Sequence, residues 1–197
     1  MPFALSMNPV LIVYATREGH TARIAEYIAL GVRCHGGQVD VKRAGLIGDQ
    51  DSIAKWPVII VAASIHIGKH EAEIVHFVKA HLAELSRART LFLSVSLSQA
   101  GVEDDAASPE KHAQARADVE RMIRDFLVKT GWRPTMARPV AGALPYTKFN
   151  PFLRFIMKRI ARKAGGPTDT SRDHVFTNWG ELDRMVEDLL PIETNHA

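Results

Sequence analysis

Residues 10–21 have the sequence VLIVYATREGHT, in which six apolar residues are followed at once by a polar turn. A short apolar run of this kind, rich in β-branched residues and bounded by a turn, predicts a strand that is buried on both faces. After the turn, Ile24, Ala25 and Ile28 recur at helical spacing, which predicts a helix that begins near His20. This stretch therefore predicts a buried strand, a short turn and a helix in direct succession.

The turn at residues 16–21 suits an anion. Backbone N–H groups converge at a helix N-terminus, and the helix dipole adds positive potential there. Thr16 and Thr21 can donate hydroxyl hydrogen bonds, and Gly19 allows a ligand to approach the backbone closely. Both the P-loop lysine and the G-x-G-x-x-G spacing are absent, so a monophosphate such as that of FMN fits better than a nucleoside triphosphate or a dinucleotide. An ordinary strand-to-helix connection with a threonine N-cap explains the same residues.

Short apolar runs alternate with longer helical patterns along the chain. The apolar runs predict strands at residues 10–15, 38–42, 58–63, 90–96 and 137–143. The helical patterns predict helices at residues 20–34, 69–85, 109–130 and 179–190. This alternation predicts an α/β fold with a doubly wound parallel sheet, in which ligands bind beyond the carboxyl ends of the strands.

Two further polar segments follow predicted strands and should lie at the same edge of the sheet. In the segment Ser64-Ile65-His66-Ile67-Gly68, backbone amides can reach the edge of a flavin, and Ile65 or His66 can cover one face of its ring. In the segment 94–98, serine hydroxyls and N–H groups suit the polar edge of a pyrimidine-like ring. A partly exposed loop histidine explains His66 equally well, and serine-rich loop ends are common.

Side-chain chemistry has little support in the sequence. His66 and His70 are four residues apart, but no third ligand with suitable spacing accompanies them, so we expect no metal site. No Ser-His-Asp or Cys-His motif has the local context that a nucleophile needs. These observations favour chemistry on a cofactor.

Charge is distributed unevenly along the chain. Residues 126–168 contain no Asp or Glu but nine cations, which are Lys129, Arg133, Arg138, Lys148, Arg154, Lys158, Arg159, Arg162 and Lys163. The rest of the chain holds 16 cations and all 22 acidic residues, a net charge of −6. An acidic body with one basic region suits an anionic membrane surface, an acidic substrate or a polyanion. Because no recognition motif accompanies the basic residues, we expect no nucleic-acid partner.

Residues 144–178 form a long insertion between the last predicted strand and the last predicted helix, far above the usual length of such a connection. Its centre, residues 152–163, predicts a helix. One face of this helix is apolar and carries Phe152, Leu153, Ile156, Met157 and Ile160, whereas Arg154, Lys158 and Arg162 lie four apart on the other face. The apolar face can pack on the body, lie in a membrane interface or cover a substrate site.

The length of 197 residues predicts one domain, residues 1–197, with a short N-terminal extension at residues 1–8. No apolar run approaches the length of a transmembrane helix, and the N-terminus lacks the pattern of a signal peptide. Cys34 is the only cysteine, which excludes an internal disulfide. We therefore expect a cytoplasmic protein.

Several segments carry a resemblance to a known family: residues 14–21, 62–68, 131–134, 141–144, 165–170 and 177–179. In their order and spacing the chain resembles the flavodoxin-like proteins and, among them, the bacterial menaquinone-dependent protoporphyrinogen IX dehydrogenases, oxygen-independent oxidases of haem synthesis. The basic insertion before the last helix separates this group from plain flavodoxins. Where members of the group tend to carry an aromatic residue in the second loop, this chain has Ile67.

The resemblance implies a flavodoxin-like sheet of five parallel strands in the order 2-1-3-4-5 and one non-covalently bound FMN. It implies that the phosphate is held by Thr16, Arg17, Gly19, His20 and Thr21. It implies that the ring is held by Ser64, Ile65, His66, Ile67 and Gly68 and by Ser94, Val95, Ser96 and Leu97. The flavin would perform the redox chemistry, so no side chain is assigned a catalytic role.

The implied reaction is dehydrogenation of protoporphyrinogen IX in successive two-electron steps, with a membrane quinone reoxidising the flavin. The carboxylates of the substrate have expected partners in Arg154, Lys158, Arg159, Arg162 and Lys163. Because the quinone is in the membrane, peripheral attachment of the same helix to the anionic inner face of the cytoplasmic membrane is an equal expectation. The alternative is a flavodoxin-type FMN electron carrier or a flavin-binding module without its own porphyrin substrate. A carrier should be acidic around the flavin and has no need of a basic insertion.

Overall fold

A computed structural model describes residues 8–189, apart from the side chains of residues 163 and 164. In chain order its elements are β1 (Val10–Ala15), α1 (His20–Cys34), β2 (Val39–Arg43), β3 (Val58–His66), β4 (Lys69–His70), α2 (Ala72–Ala80), α3 (Leu82–Leu85), β5 (Arg89–Ser96), α4 (Leu97–Val102), α5 (Pro109–Thr130), β6 (Met136–Ala141), β7 (Ala143–Leu144), α6 (Pro151–Ala164), β8 (His174–Val175) and α7 (Trp179–Leu189). Single turns of 3-10 helix lie at Ala44–Leu46 and Tyr146–Lys148. The predicted N-terminal extension lies outside the described residues except for Asn8, as does Leu190 at the predicted end of the last helix.

The five long strands form a parallel sheet in the order β2-β1-β3-β5-β6, which confirms the predicted order. The register pairs Val10 of β1 with both Val39 and Val58, and it pairs Leu91 of β5 with Met136. Because all five strands run in the same direction, the carboxyl ends of β1, β3 and β5 lie side by side. The three predicted loops therefore meet at one edge of the sheet.

Helices cover both faces of the sheet, and each face has its own apolar core. Leu11 and Val13 of β1 face a core closed by residues of α2, by Phe126 of α5 and by Trp132. Their neighbours Val10 and Ile12 face a second core, which α1 and α7 close. Burial on both faces is the reason that the central strands are continuous apolar runs rather than alternating ones.

The insertion has a small core of its own. Leu144, Tyr146, Phe149 and Ala161 are buried there, and Leu153, Met157 and Phe176 pack against them. Two local signals fix its helix α6: Asn150 caps the N-terminus by accepting a hydrogen bond from the N–H of Leu153 at 2.8 Å, and Gly165 ends it at φ 84°. The antiparallel pair β7–β8 closes the base of the insertion.

Two predicted elements are wrong in detail. The predicted helix at residues 69–85 begins only at Ala72, because Lys69 and His70 form β4, which pairs antiparallel with the end of β3. The predicted loop after β5 is also not a loop. Ser96 is the last strand residue, and its Oγ accepts a hydrogen bond from the N–H of Gln99 at 3.1 Å and so starts α4. The helix predicted from the periodicity of residues 74–82 begins too early, because a strand of only two residues leaves no periodic pattern in the sequence.

Candidate functional site

A cleft of about 490 Å³ lies at the carboxyl edge of the sheet, between the loops that follow β1, β3 and β5 and the insertion. The residues predicted to bind a cofactor contribute most of the wall on the side of the sheet, here called the near wall, and the opposite side is the far wall. The predicted residues that line the cleft are Thr16, His20, Thr21, Ser64, Ile65, His66, Ile67, Gly68, Val95, Ser96 and Leu97. Three predicted residues, Arg17, Gly19 and Ser94, do not line it.

The turn at residues 16–21, here called the phosphate turn, is closed by its own backbone and one side chain. Gly19 is the N-cap of α1 and has φ 93°, a conformation that residues with a Cβ rarely adopt. Its N–H donates to Oγ1 of Thr16 at 3.0 Å. Gly19 therefore acts through its backbone conformation, and the Thr16 hydroxyl proton stays available to a ligand.

The hydroxyl of Thr21 is buried beside the cleft without a hydrogen-bond partner. Thr21 is only 1% exposed, and its Oγ1 has no hydrogen-bond partner. A buried hydroxyl that is left unpaired costs about 1–3 kcal/mol, so folded proteins rarely retain one without a use for it. The hydroxyl lies in the first turn of α1, where backbone N–H groups also lack helical partners. This donor set fits the oxygens of a phosphate group.

His20 connects the phosphate turn to the far end of the insertion. Its Nε2 lies 2.7 Å from Oγ1 of Thr177, which itself donates to the carbonyl oxygen of Ala141 at 2.6 Å. Because the single hydroxyl proton of Thr177 is used there, Nε2 of His20 carries the proton in the bond between them. Burial, with smaller contributions from the cations of Arg23 and Lys148, lowers the pKa of His20 to about 4. His20 is therefore neutral at pH 7.

Of the two charged residues of the phosphate turn, Arg17 lies away from its predicted place and Glu18 lines the cleft. Arg17, which we expected at the phosphate, donates from Nη2 to Oε2 of Glu71 at 3.2 Å and lies outside the cleft. Glu18 carries a negative charge next to the predicted phosphate, yet it is half-buried and lines the cleft. The phosphate turn itself therefore offers hydroxyls and amides rather than a positive side chain.

The hairpin formed by β3 and β4 has a strained tip. Ile67 and Gly68 have φ values of 48° and 71°, as in a type I′ turn, in which asparagine and glycine are the preferred residues. A β-branched residue with positive φ is an outlier that costs on the order of 1–3 kcal/mol. Ile67 is also 88% exposed, although it lines the cleft. An apolar side chain held under strain at the rim of a cleft is a candidate for contact with a bound molecule.

His70 fixes the base of this hairpin. Its Nε2 lies 2.9 Å from Oγ of Ser94, and its ring packs against Phe92 and Phe126 at centroid distances of 5.3 and 4.7 Å. Ser94, which we predicted to contact a flavin, is buried and supports the hairpin instead. Burial also lowers the pKa of His70 to about 3, so the ring is neutral over the physiological range.

The far wall of the cleft contains residues that sequence analysis did not assign to the site. From α5, Asp118, Arg121 and Met122 line the cleft, and Nη2 of Arg121 donates to Oδ1 of Asp118 at 2.7 Å. The turn before the insertion adds Gly142, Ala143, Leu144 and Pro145. No local signal distinguishes the three residues of α5, because they reach the cleft only through packing of that helix, whereas residues 142–144 belong to a segment that carries the family resemblance.

The helix α6 completes the far wall with apolar side chains. Leu153, Met157 and Ile160 line the cleft, and Phe149 lies beside them. Part of the predicted apolar face therefore lies along the cleft, and Leu153 and Met157 also pack against the core of the insertion itself. The predicted single apolar face is nevertheless wrong, because Phe152 is 74% exposed on the other side of the helix, next to Phe155 at 66%.

The five predicted cations of the insertion differ in their surroundings. Arg154 donates from Nε to the carbonyl oxygen of Tyr146 at 3.0 Å and from Nη2 to that of Phe149 at 3.1 Å, so its guanidinium holds the insertion together rather than facing a ligand. Arg159 and Arg162 are exposed, and Lys158 is half-exposed. The side chain of Lys163 lies outside the described part of the chain.

The part of the chain that the structure describes contains neither a cluster of metal-ligating residues nor a helix that could span a membrane. Between residues 8 and 189, no group of three or more His, Cys, Asp or Glu residues could hold a metal ion. No helix within the same range is both long and apolar enough to cross a membrane.

Comparisons with known proteins agree with this geometry. A family model described as a flavodoxin domain matches residues 11–171. The chain is 31% identical to the protoporphyrinogen IX dehydrogenase (quinone) of Escherichia coli K12, over 91% of this chain and 93% of that protein. It is 30% identical to the protein of the same name from Leishmania major, over 91% of this chain and 73% of that protein.

A solved structure supports the fold alone. The chain resembles the rubredoxin oxygen:oxidoreductase of Desulfovibrio gigas with a TM-score of 0.53 and 13% identity, over 93% of this chain and 35% of that one.

The buried His70 gives a prediction for the dependence of stability on pH. Because the folded pKa is below that of the unfolded chain, the unfolded state binds more protons between about pH 6.5 and 3. Stability should therefore be complete above pH 6.5 and decrease as the pH falls through this window. In urea unfolding at pH 7.5, 6, 5 and 4.5, the free energy of unfolding should decrease less for His70→Gln than for the wild type, by up to about 1.4 kcal/mol per pH unit.

His35→Gln, at an exposed site, is the matched control and should follow the wild type. If the free energy of unfolding fell equally with pH in the wild type and in His70→Gln, the assignment of His70 as a buried neutral ring would be contradicted.

Proposed function

We propose that this chain, which belongs to the flavodoxin domain family and within it to the protoporphyrinogen IX dehydrogenases (quinone), oxidises protoporphyrinogen IX to protoporphyrin IX with a bound FMN and a quinone as electron acceptor. One observation of the structure carries the proposal. The loops of a flavodoxin-type sheet form one wall of the cleft, and apolar side chains of the insertion form the other. A flat apolar substrate that must lie close to a flavin fits between such walls.

The cofactor is a flavin, as in the flavodoxin domain family. We infer that it is FMN, because the unpaired Thr21 hydroxyl and the first amides of α1 form a donor set for a phosphate monoester. Thr16 would add a second hydroxyl. The segments Ser64–Gly68 and Val95–Leu97 would hold the ring, since both lie at strand ends along the cleft. When bound, the flavin supplies transfer of two electrons at a time between the substrate and the quinone.

The residues of the chain itself bind and orient the substrate. Each oxidation step removes two electrons and two protons from the porphyrinogen and converts one quinone to its quinol. Leu153, Met157 and Ile160 offer an apolar surface that excludes water from one face of a macrocycle. The exposed Arg159 and Arg162 on the insertion are the proposed partners of its carboxylates, and Arg121 in the cleft would join them by exchanging its present partner, Asp118. Lys158 and Lys163 stay candidates for the same role, whereas the bonds of Arg154 assign it to the architecture of the insertion.

We further propose that α6 attaches the protein peripherally to the inner face of the cytoplasmic membrane. Its outward side combines exposed phenylalanines, Phe152 and Phe155, with the exposed cations Arg159 and Arg162. Aromatic side chains enter the interface of a bilayer, and each cation near an anionic surface contributes about 1 kcal/mol. Ile160 is half-exposed and also lines the cleft, so the cleft opens beside this side of the helix. A membrane-dissolved quinone would meet the cleft there.

The reaction can be tested directly by porphyrin fluorescence. The FMN-loaded protein should form porphyrin from protoporphyrinogen IX without oxygen when a quinone is supplied. Ile160→Asp places a charge in the apolar wall and should lower kcat/KM for the porphyrinogen by about tenfold or more, because the charge is costly to bury against the substrate. Val128→Asp, at an exposed position outside the cleft, is the control and should behave as the wild type.

An FMN-binding protein that forms no porphyrin above the uncatalysed rate with several quinones would instead be an electron carrier, the alternative function.

The Thr21 hydroxyl predicts opposite effects on stability and on cofactor binding. Thr21→Val keeps the shape of the side chain but removes the unpaired buried hydroxyl, so the free energy of unfolding of the cofactor-free protein should stay the same or rise. FMN binding should weaken by about 1.5–3 kcal/mol, because a hydrogen bond to a charged phosphate is lost. Riboflavin has no phosphate and should be affected much less. Fluorescence titration and urea unfolding measure the two quantities, and equal losses for FMN and riboflavin would refute the phosphate assignment.

Membrane attachment predicts a dependence on lipid charge and on salt. The protein should co-sediment with vesicles that contain anionic lipid, and binding should fall as ionic strength rises. The double variant Phe152→Ser/Phe155→Ser and the double variant Arg159→Glu/Arg162→Glu should each bind less while FMN affinity is kept. Leu30→Ser/Leu46→Ser removes two exposed apolar side chains elsewhere and is the control. Equal sedimentation with neutral and anionic vesicles would remove the electrostatic part of the proposal.

A further inference from the structure

Both ends of the insertion contact the phosphate turn. Near its start, Nζ of Lys148 donates to the carbonyl oxygen of Glu18 at 2.6 Å across 130 positions of sequence. Near its end, Thr177 accepts a hydrogen bond from Nε2 of His20. A ligand bound at the phosphate turn would therefore touch residues that the insertion itself holds.

The phosphate turn is short of positive charge for a ligand that carries two negative charges. Arg17 is paired with Glu71 and lies outside the cleft, and His20 is neutral at pH 7 because its pKa is about 4. Arg23 is exposed one turn further along α1 and does not line the cleft. Glu18 adds a negative charge that opposes an anion. Lys148 does not line the cleft either, but within the described residues it is the cation from outside the phosphate turn whose side chain contacts the backbone of that turn.

The backbone around Lys148 is held firmly. Its neighbours Tyr146 and Phe149 are buried, and the Tyr146 hydroxyl donates to the carbonyl oxygen of Pro167 at 2.9 Å. Thr147 donates its N–H and its hydroxyl to Oδ1 of Asp173 at 2.9 and 2.8 Å. The exposed Lys148 side chain therefore extends from a fixed base toward the phosphate turn.

The ammonium group of Lys148 lies next to the phosphate turn and has unused hydrogen-bond donors. A Cβ placed on Gly19 would lie 3.3 Å from Nζ of Lys148, so a larger residue at position 19 would crowd this contact. An ammonium group has three donors, and the Glu18 carbonyl accepts one of them. The other hydrogens can reach an acceptor bound at the turn.

We propose that Lys148 is the cation of the phosphate site, and that a phosphate bound between it and Thr21 holds the insertion against the cleft. The proposal rests on the proposed function for the presence of FMN, and it adds the cation and the coupling. Binding and docking are then linked, so the factor by which the docked Lys148 strengthens FMN binding equals the factor by which FMN favours the docked insertion. The wall that contacts the substrate is thereby held more firmly when the cofactor is in place.

The first test compares FMN with riboflavin by fluorescence titration at low and high salt. Lys148→Met should weaken FMN binding by about ten- to a hundredfold, the range for loss of a charged hydrogen bond, and riboflavin binding by less than about threefold. Lys148→Arg should recover most of the affinity for FMN. Lys79→Met, which removes an exposed lysine of α2, controls for net charge and should leave both affinities unchanged.

The second test follows the insertion by amide hydrogen exchange at saturating ligand. In the wild type, exchange in α6 should be about ten- to a hundredfold slower with FMN than with riboflavin, by the same linkage. In Lys148→Met this difference should disappear although FMN is bound. Wild-type affinity for FMN in Lys148→Met would overturn the proposal and leave the proposed function intact.

Two other results would also decide the matter. Weakened FMN binding in Lys148→Met with unchanged exchange in α6 would overturn the coupling. Equal affinity of the wild type for FMN and riboflavin would overturn this proposal together with the phosphate site of the proposed function.

Discussion

Parallel pairing of β1, β3 and β5 is the constraint on which the site depends. Because the three strands run in one direction with a fixed register, the phosphate turn, the hairpin tip and the start of α4 meet at one edge. None of these segments forms a binding surface alone. The apolar cores on the two faces of the sheet keep the strands in place, so the geometry of the cleft depends on residues such as Val13 and Ile12 that never contact a ligand.

The insertion adds what the sheet cannot provide. Loops at strand ends offer amides and hydroxyls, whereas the insertion contributes the apolar wall of the cleft, an aromatic and basic outer side, and Lys148 at the phosphate turn. Its own core, centred on the buried Tyr146, allows it to act as a folded unit. Arg154 belongs to that core region through its bonds to two backbone carbonyls, which explains why one of the predicted ligand cations is not available to a ligand.

Features with a local physical cause could be predicted from the sequence. The buried run at residues 10–15, the start of α1 at His20 and the helix α5 at residues 109–130 each depend on neighbouring residues, and the structure has them at the predicted positions. Other features depend on contacts between distant segments and left no local signal. Arg17 pairs with a residue 54 positions away, and Asp118 and Arg121 reach the cleft only because α5 packs beside it. The fold was therefore predictable, whereas the orientation of charged side chains in the site was not.

The unpaired hydroxyl of Thr21 has a consequence for the life of the protein in a cell. A chain that has folded without its cofactor retains a buried hydroxyl without a hydrogen-bond partner. A ligand that binds only the folded state raises the stability of that state by mass action. Empty molecules would open more often and be degraded sooner than loaded ones. The supply of cofactor would then set how much of the enzyme accumulates, without any dedicated regulator.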